Sequence, residues 1–137
     1  VSLMDSGELD LSVILANLRP QLSNEDYVFI SLNNCSINRV NRLDPIATIQ
    51  EKEGTTLVIT EERALSDNLE YDTVFKCITL GVHSSLKSVG LINAISKCLS
   101  DNDIPCNVIS GYFHDHLFIQ NDLCKRAMDL LQDIKTK

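Results

Sequence analysis

The sequence predicts an α+β fold, an antiparallel sheet covered on one side by helices. Two observations carry this. Strand-type apolar runs alternate with segments of helical spacing, and several of the strands follow one another closely enough to form hairpins. The chain has 137 residues, 44% of them hydrophobic, enough apolar content for a real core in one compact domain or two small interlocked ones.

Taken in order, "DLSVILANLRP" reads as a short helix. Asp10 can cap it, Leu11, Ile14, Leu15 and Leu18 form an apolar stripe, and Pro20 ends it. "LSNEDYVFISL" predicts a polar turn and then a strand from Tyr27 to Leu32. "NNCSINRVNRLD" is polar and aperiodic and reads as a loop. Ile46 to Glu51 and Thr56 to Ile59 form the arms of a hairpin with Gly54 in its turn. Thr60 can cap a helix that ends near Asn68, with Glu61 and Glu62 at the positive end of its dipole.

"DTVFKCITLGVH" is the longest β-type segment. Val74, Cys77, Ile78, Leu80 and Val82 make it a central strand buried on both faces. The loop "SSLKS" leads to a helix in which Leu91, Ile95, Cys98 and Leu99 keep helical spacing, ended by the polar run Ser100 to Asp103. "IPCNVISGYF" and "HLFI" are two further strands. The closing helix, "NDLCKRAMDLLQDIK", carries Leu123, Ala127, Leu130, Leu131 and Ile134 on one face. The first half therefore reads α–β–β–β–α and the second β–α–β–β–α, alike in order of elements but not in sequence.

A net charge of −7, with the 12 Lys and Arg scattered, argues against nucleic acid as a partner, because such a surface repels a phosphate backbone. No apolar run approaches the ~20 residues that cross a bilayer, so no membrane partner is expected. "VSLMDSGELDLS" is acidic, without a basic start or a long apolar stretch, and does not read as a signal peptide. Five cysteines, an odd number with no CxxC pair, fit free thiols in a reducing cytoplasm better than a disulfide or zinc framework.

Two stretches could carry chemistry. In "SGYFHDHLFI", His114 and His116 would share a face of a straight strand and could reach one metal ion. The only other histidine is His83, no HExxH spacing supports it, and apolar strands flank the segment, so a hairpin turn is the better reading and no metal is expected. A triad of serine, histidine and Asp115 lacks a GxSxG elbow. The Cys98 and Cys106 thiols could be nucleophiles, but Cys98 lies on an apolar helix stripe, where packing explains a thiol better than nucleophilic chemistry does. In "HSSLKSVGLINAI" a strand runs through a serine-rich loop into a helix start led by Gly90. Its free N–H groups could hold an anion such as a carboxylate. One glycine is too few for a dinucleotide or phosphate-loop pattern, and a plain turn glycine with Ser88 as helix cap explains the residues equally well.

"YVFISL", "DPIATIQEKEGTTLVIT", "FKCITLGVHSSLKSVGLINAISKCLSDNDIPCNVISGYFHDHLFI" and "AMDLL" resemble the small ACT-domain proteins of bacteria and fungi. The resemblance runs from about Leu11 to Leu131 and is most specific in "HSSL..VGL" and "GY.HDHLF". It implies a ferredoxin-like ACT fold in two halves, residues 1–72 and 73–137, with helices packed on one face of the sheet. It also implies a regulatory protein without catalytic activity or cofactor, a homodimer, that binds a small molecule, an amino acid in most ACT domains. The alternative is a ligand-free dimerisation or interaction module. The second half is similar, more distantly, to ACT units of the cytosolic arginine sensors. That similarity implies ligand contacts at Gly90 and Leu91 at the helix start, at Asn93 one turn in, and at Asp115. The ligand-binding candidates are then Ser84, Ser85, Val89, Gly90, Leu91, Asn93, Ser110 and Asp115. Helix N–H groups suit a ligand carboxylate and Asp115 suits an ammonium. Asn93 stands where the arginine sensors place an acid, which disfavours a guanidinium ligand.

Overall fold

Eleven elements follow one another in the computed structural model, which describes residues 7–134. They belong to two packed units. Asn24–Lys76 forms one, and the chain up to Ser23 joins the chain from Cys77 onward to form the other.

In the Asn24–Lys76 unit, β1 (Pro20–Leu32, which begins before the unit) pairs antiparallel with β3 (Gly54–Thr60), and β3 pairs with β2 (Ala47–Glu51). Val28 lies opposite Ile59 and Ile30 opposite Leu57. These four, at alternate positions, turn to one face. There they pack with Leu43 of α2 (Ile37–Leu43) and Ala64 of α3 (Glu61–Ser66). The hairpin and the Thr60-capped helix fall where the sequence places them, with Thr60 Oγ1 accepting from Arg63 N–H at 3.2 Å, except that Gly54 is the first residue of β3, paired with Glu51, and leaves Lys52 and Glu53 as the turn.

Two expectations for this region are corrected. The segment Ser23–Asp26 is strand, not turn. Its polar groups are tied down: the Asp26 carboxylate lies 3.2 Å from the Lys76 ammonium, and Ser23 Oγ accepts from Cys77 N–H at 3.0 Å. The expected loop at Asn33–Asp44 contains α2. Ser36 Oγ accepts from Arg39 N–H at 3.1 Å, capping the helix, and Asp44 ends it in a left-handed conformation with φ 49°. Only Val40 and Leu43 turn to the core, too short a stripe to stand out in the sequence.

In the other unit the strand order is β1, β4 (Phe75–Leu80), β6 (Asp115–Gln120), β5 (Asn107–Ser110). Gly81 N–H donates to Arg19 C=O at 2.9 Å and Val82 N–H to Leu18 C=O at 3.3 Å, rising positions against falling ones. A side chain at Gly81 would put its Cβ 2.9 Å from that Arg19 oxygen. Helices α1 (Leu11–Ala16), α4 (Leu91–Ser100) and α5 (Cys124–Asp133) bring Ile14, Leu91, Ile95, Leu99, Ala127 and Leu131 against Ile78, Leu80, Leu117 and Ile119 of the sheet. Asp10 caps α1 as expected, accepting from Ser12 N–H at 2.9 Å.

With α2 in place the chain reads β1–α2–β2–β3–α3 and then β4–α4–β5–β6–α5, two repeats of one order. This is the α+β, ferredoxin-like arrangement with its helices against one face of an antiparallel sheet. No helix among the described residues is long and apolar enough to cross a membrane.

Candidate functional site

Three pieces of the second repeat enclose a recess of about 210 Å³: the loop after β4, the first turn of α4 and the β5–β6 hairpin. Of the residues expected from the sequence, Ser84, Ser85, Gly90, Leu91, Asn93, Ser110 and Asp115 line it. Val89 does not; it is 84% exposed. Leu86, Ser88, Ile92 and Gly111 also line the recess, and sequence reading did not assign them to it. Their signal was their position beside residues already singled out.

Asp115 is the acid of the recess. The sequence suggests that it sits in a turn, but it is the first residue of β6, directly opposite Ser110 of β5. The turn proper is tied by Gly111 N–H donating to His114 C=O at 2.8 Å. Asp115 is only 7% exposed. Its Oδ1 accepts from Ser110 Oγ at 2.5 Å and its Oδ2 from Ser84 Oγ at 3.2 Å. Ion pairs among the described residues join Arg42 to Asp67, Lys76 to Asp26 and Lys97 to Asp101, and none takes in Asp115. A buried carboxylate held by hydroxyls, without a cation among the described residues, is suited to receive a positive group from a ligand.

The opposite wall is the start of α4. Gly90 occupies the cap position at φ 99°, and no side chain caps the helix. The first intrahelical bond runs from Ala94 N–H to Gly90 C=O at 2.9 Å, so the N–H groups of Leu91, Ile92 and Asn93 come before the ladder begins. Ser88 is not the cap that the turn-glycine reading gives it. Its N–H closes a turn onto Ser85 C=O at 3.0 Å. The recess thus has an electropositive helix end and a carboxylate, the two poles an α-amino acid presents in reverse.

The histidines frame this arrangement. His114 Nδ1 donates to Val82 C=O at 3.3 Å, and His116 Nδ1 shares a 2.9 Å hydrogen bond with Thr79 Oγ1. Burial, then the neighbouring His114 charge, hold the His116 pKa below its ordinary value, with Asp115 opposing them. The His83 ring lies 5.1 Å from that of Phe113, tilted by 52°, and Phe113 meets Tyr112 edge-on at 5.0 Å. Among the described residues no three His, Cys, Asp or Glu side chains gather as a metal site. Burial pushes the Cys106 thiol up to about 11, so it is a poor nucleophile.

The first repeat is built differently at the corresponding places. Ser36 caps its own helix, and the β2–β3 hairpin closes with Glu51 opposite Gly54, where the second repeat sets Ser110 opposite Asp115. The first repeat therefore offers neither the uncapped helix start nor an acid at the head of its third strand.

Two βαββα repeats with a polar recess between a glycine-led helix and a hairpin define a tandem ACT-type protein. Family models described as ACT domain match residues 6–76 and 73–133, and the chain belongs to the ACT-domain family. Among solved structures, a protein of unknown function from Vibrio cholerae, described as a possible transport protein, is 39% identical. The match covers 91% of this chain and 95% of that one, with a TM-score of 0.82. A protein from Agrobacterium tumefaciens is 18% identical, over 85% of this chain and 87% of its own, with a TM-score of 0.67. The ligand-free regulatory subunit of aspartate kinase from Thermus thermophilus shares the fold at 6% identity, over 84% of this chain and 95% of its own, with a TM-score of 0.57. No curated protein matches the chain.

Proposed function

We propose that the protein is a regulatory binder of a small amino acid, without catalytic activity, and that the recess of the second repeat is its site. The observation that carries this is the buried Asp115 carboxylate, held by Ser84 and Ser110 and facing an uncapped helix start. A ligand carboxylate takes the N–H groups of Leu91, Ile92 and Asn93, and its ammonium takes Asp115. Ser84, Ser85 and Ser110 fix its orientation, Gly90 lets it approach the backbone, and the neutral Asn93 favours a small or neutral side chain over a guanidinium. The likeness to regulatory ACT units supports the class of function.

The protein acts as a homodimer on this reading. Leu86 at 65% exposure and Val89 at 84%, with the half-exposed Tyr112 and Phe113, leave apolar surface around the recess for a second copy to cover. Five free thiols suit a reducing cytoplasm. The same apolar rim also favours a second reading, an interaction module that binds no ligand. Thermal-shift screening of the twenty amino acids separates the two. Ligand at a hundred times its Kd adds about 2.7 kcal/mol of stability. No shift with any amino acid at millimolar concentration leaves the interaction module.

A further inference from the structure

The serines of the recess differ in what they offer a ligand. Ser84, Ser85 and Asp115 are three of the four buried polar residues among those described, and all three line the recess. An ionised carboxylate only accepts hydrogen bonds, and a hydroxyl has a single hydrogen to give. Ser84 Oγ gives its hydrogen to Asp115 Oδ2 at 3.2 Å, and Ser110 Oγ gives its own to Oδ1 at 2.5 Å. Both serines are left with lone pairs, and among the described residues no donor reaches either oxygen. Ser85 is set the other way. Its Oγ accepts from Lys87 N–H at 3.1 Å, and its hydrogen meets no acceptor among the described residues. It therefore stands on the donor side, with the N–H groups of Leu91, Ile92 and Asn93. The Asp115 end presents acceptors alone: the carboxylate, with about two of its roughly four lone-pair sites unused, and a serine oxygen beside each carboxylate oxygen.

We propose that this end selects a primary ammonium, whose three N–H groups go one to Asp115, one to Ser84 Oγ and one to Ser110 Oγ. The inference rests on the reading of the recess as an amino-acid site and adds which amines that site takes. A carboxylate alone attracts any cation. A carboxylate flanked by two hydroxyls already turned towards it also counts the hydrogens that the cation brings. An N-methyl group, or the ring of proline, keeps the charge but removes one N–H and sets carbon against an acceptor that water no longer reaches. Sites built around such hydrogen bonds reject the analogue that lacks one, because their own polar group is left unpaired. An α-hydroxy acid loses both the charge and the hydrogens. The selected class is therefore the free α-amino acid with an unsubstituted amino group.

Calorimetric titration of the full chain tests this, with three probes: the amino acid that gives the largest thermal shift, its N-methyl derivative and the corresponding α-hydroxy acid. The N-methyl derivative should bind roughly tenfold or more weakly, and the hydroxy acid more weakly still. An N-methyl derivative that binds as well as the amino acid overturns the proposal. A methyl group also adds bulk, so Ser110→Ala, at an exposed position, separates the causes. It removes one acceptor. The Kd of the amino acid should rise by about tenfold, while that of the N-methyl derivative changes by less than about threefold, its methyl taking the vacated place. If Ser110 does no more than hold Asp115, both ligands weaken by one factor, and that result refutes the contact. An unchanged Kd for the amino acid refutes it too. Ser84→Ala is read in the same way, beside a urea midpoint that shows the fold intact. Binding without discrimination between the probes strikes the selection and leaves the amino-acid site standing. If none of the twenty amino acids binds, the reading of the site falls and the selection falls with it.

Discussion

Replacing Asp115 by Asn tests the recess with little change of shape. The carboxylate accepts from Ser110 and Ser84 through its two oxygens. The amide keeps one acceptor oxygen, and the hydroxyl facing its NH₂ turns from donor to acceptor, so both serines retain a partner. The fold should lose no more than about 1 kcal/mol, the net value of one ordinary hydrogen bond. Binding of an amino acid should suffer more. A hydrogen bond to a charged group is worth roughly 1.5–3 kcal/mol, and here the ammonium loses the one anionic partner that the described residues lining the recess offer. That corresponds to about a 10- to 150-fold rise in Kd. Isothermal titration of parent and variant gives the ratio, and a urea midpoint taken alongside shows that the fold survives. An unchanged Kd in a folded variant would mean that the ammonium does not meet Asp115, and the assignment of ligand poles would be refuted.

Three further outcomes are expected. The neutral form of His116 is favoured in the fold, so the unfolded chain takes up the proton first as pH falls below about 6.5. Its contribution to stability is complete above that value and is lost as pH falls towards the depressed folded pKa. Urea midpoints measured above and below that window should fall more for the parent than for His116→Gln, and equal losses would contradict the shift. Gly90→Ala places a Cβ at φ 99° and 3.0 Å from Leu11, and should cost about 1–2 kcal/mol in denaturant titration. Cys106, with its pKa raised to about 11, should react with iodoacetamide about tenfold or more slowly than free cysteine at neutral pH, followed by mass spectrometry.

Elements whose signals are local were legible in the sequence. Asp10 and Thr60 each announce a helix by a cap, and both caps form. Leu91, Ile95 and Leu99 keep helical spacing and are buried. What was not legible depends on partners far along the chain. Ser23 and Asp26 look like turn residues until Cys77 and Lys76 come beside them. The helix at Ile37–Leu43 buries too few side chains to stand out, although Ser36 was its available signal. For the site, spacing and family resemblance brought seven of the expected residues to one recess. The burial of Asp115 and the bridge of Glu8 to Ser84 were out of reach, because each is a pairing across many residues, Ser84 with Asp115 and Glu8 with Ser84.

Strand β1 supplies residues to both packed units, and this governs how the gene can be cut. A piece beginning at Thr73 would lack the Arg19 carbonyl that receives Gly81, the Ser23 hydroxyl that receives Cys77, and the buried Ile14 and Leu18. A piece ending at Asp72 would lack Lys76 beside Asp26 and the Phe75 ring, 5.3 Å from that of Phe29. Cut between Asp72 and Thr73, each piece leaves some of its own packing and hydrogen-bond partners on the other.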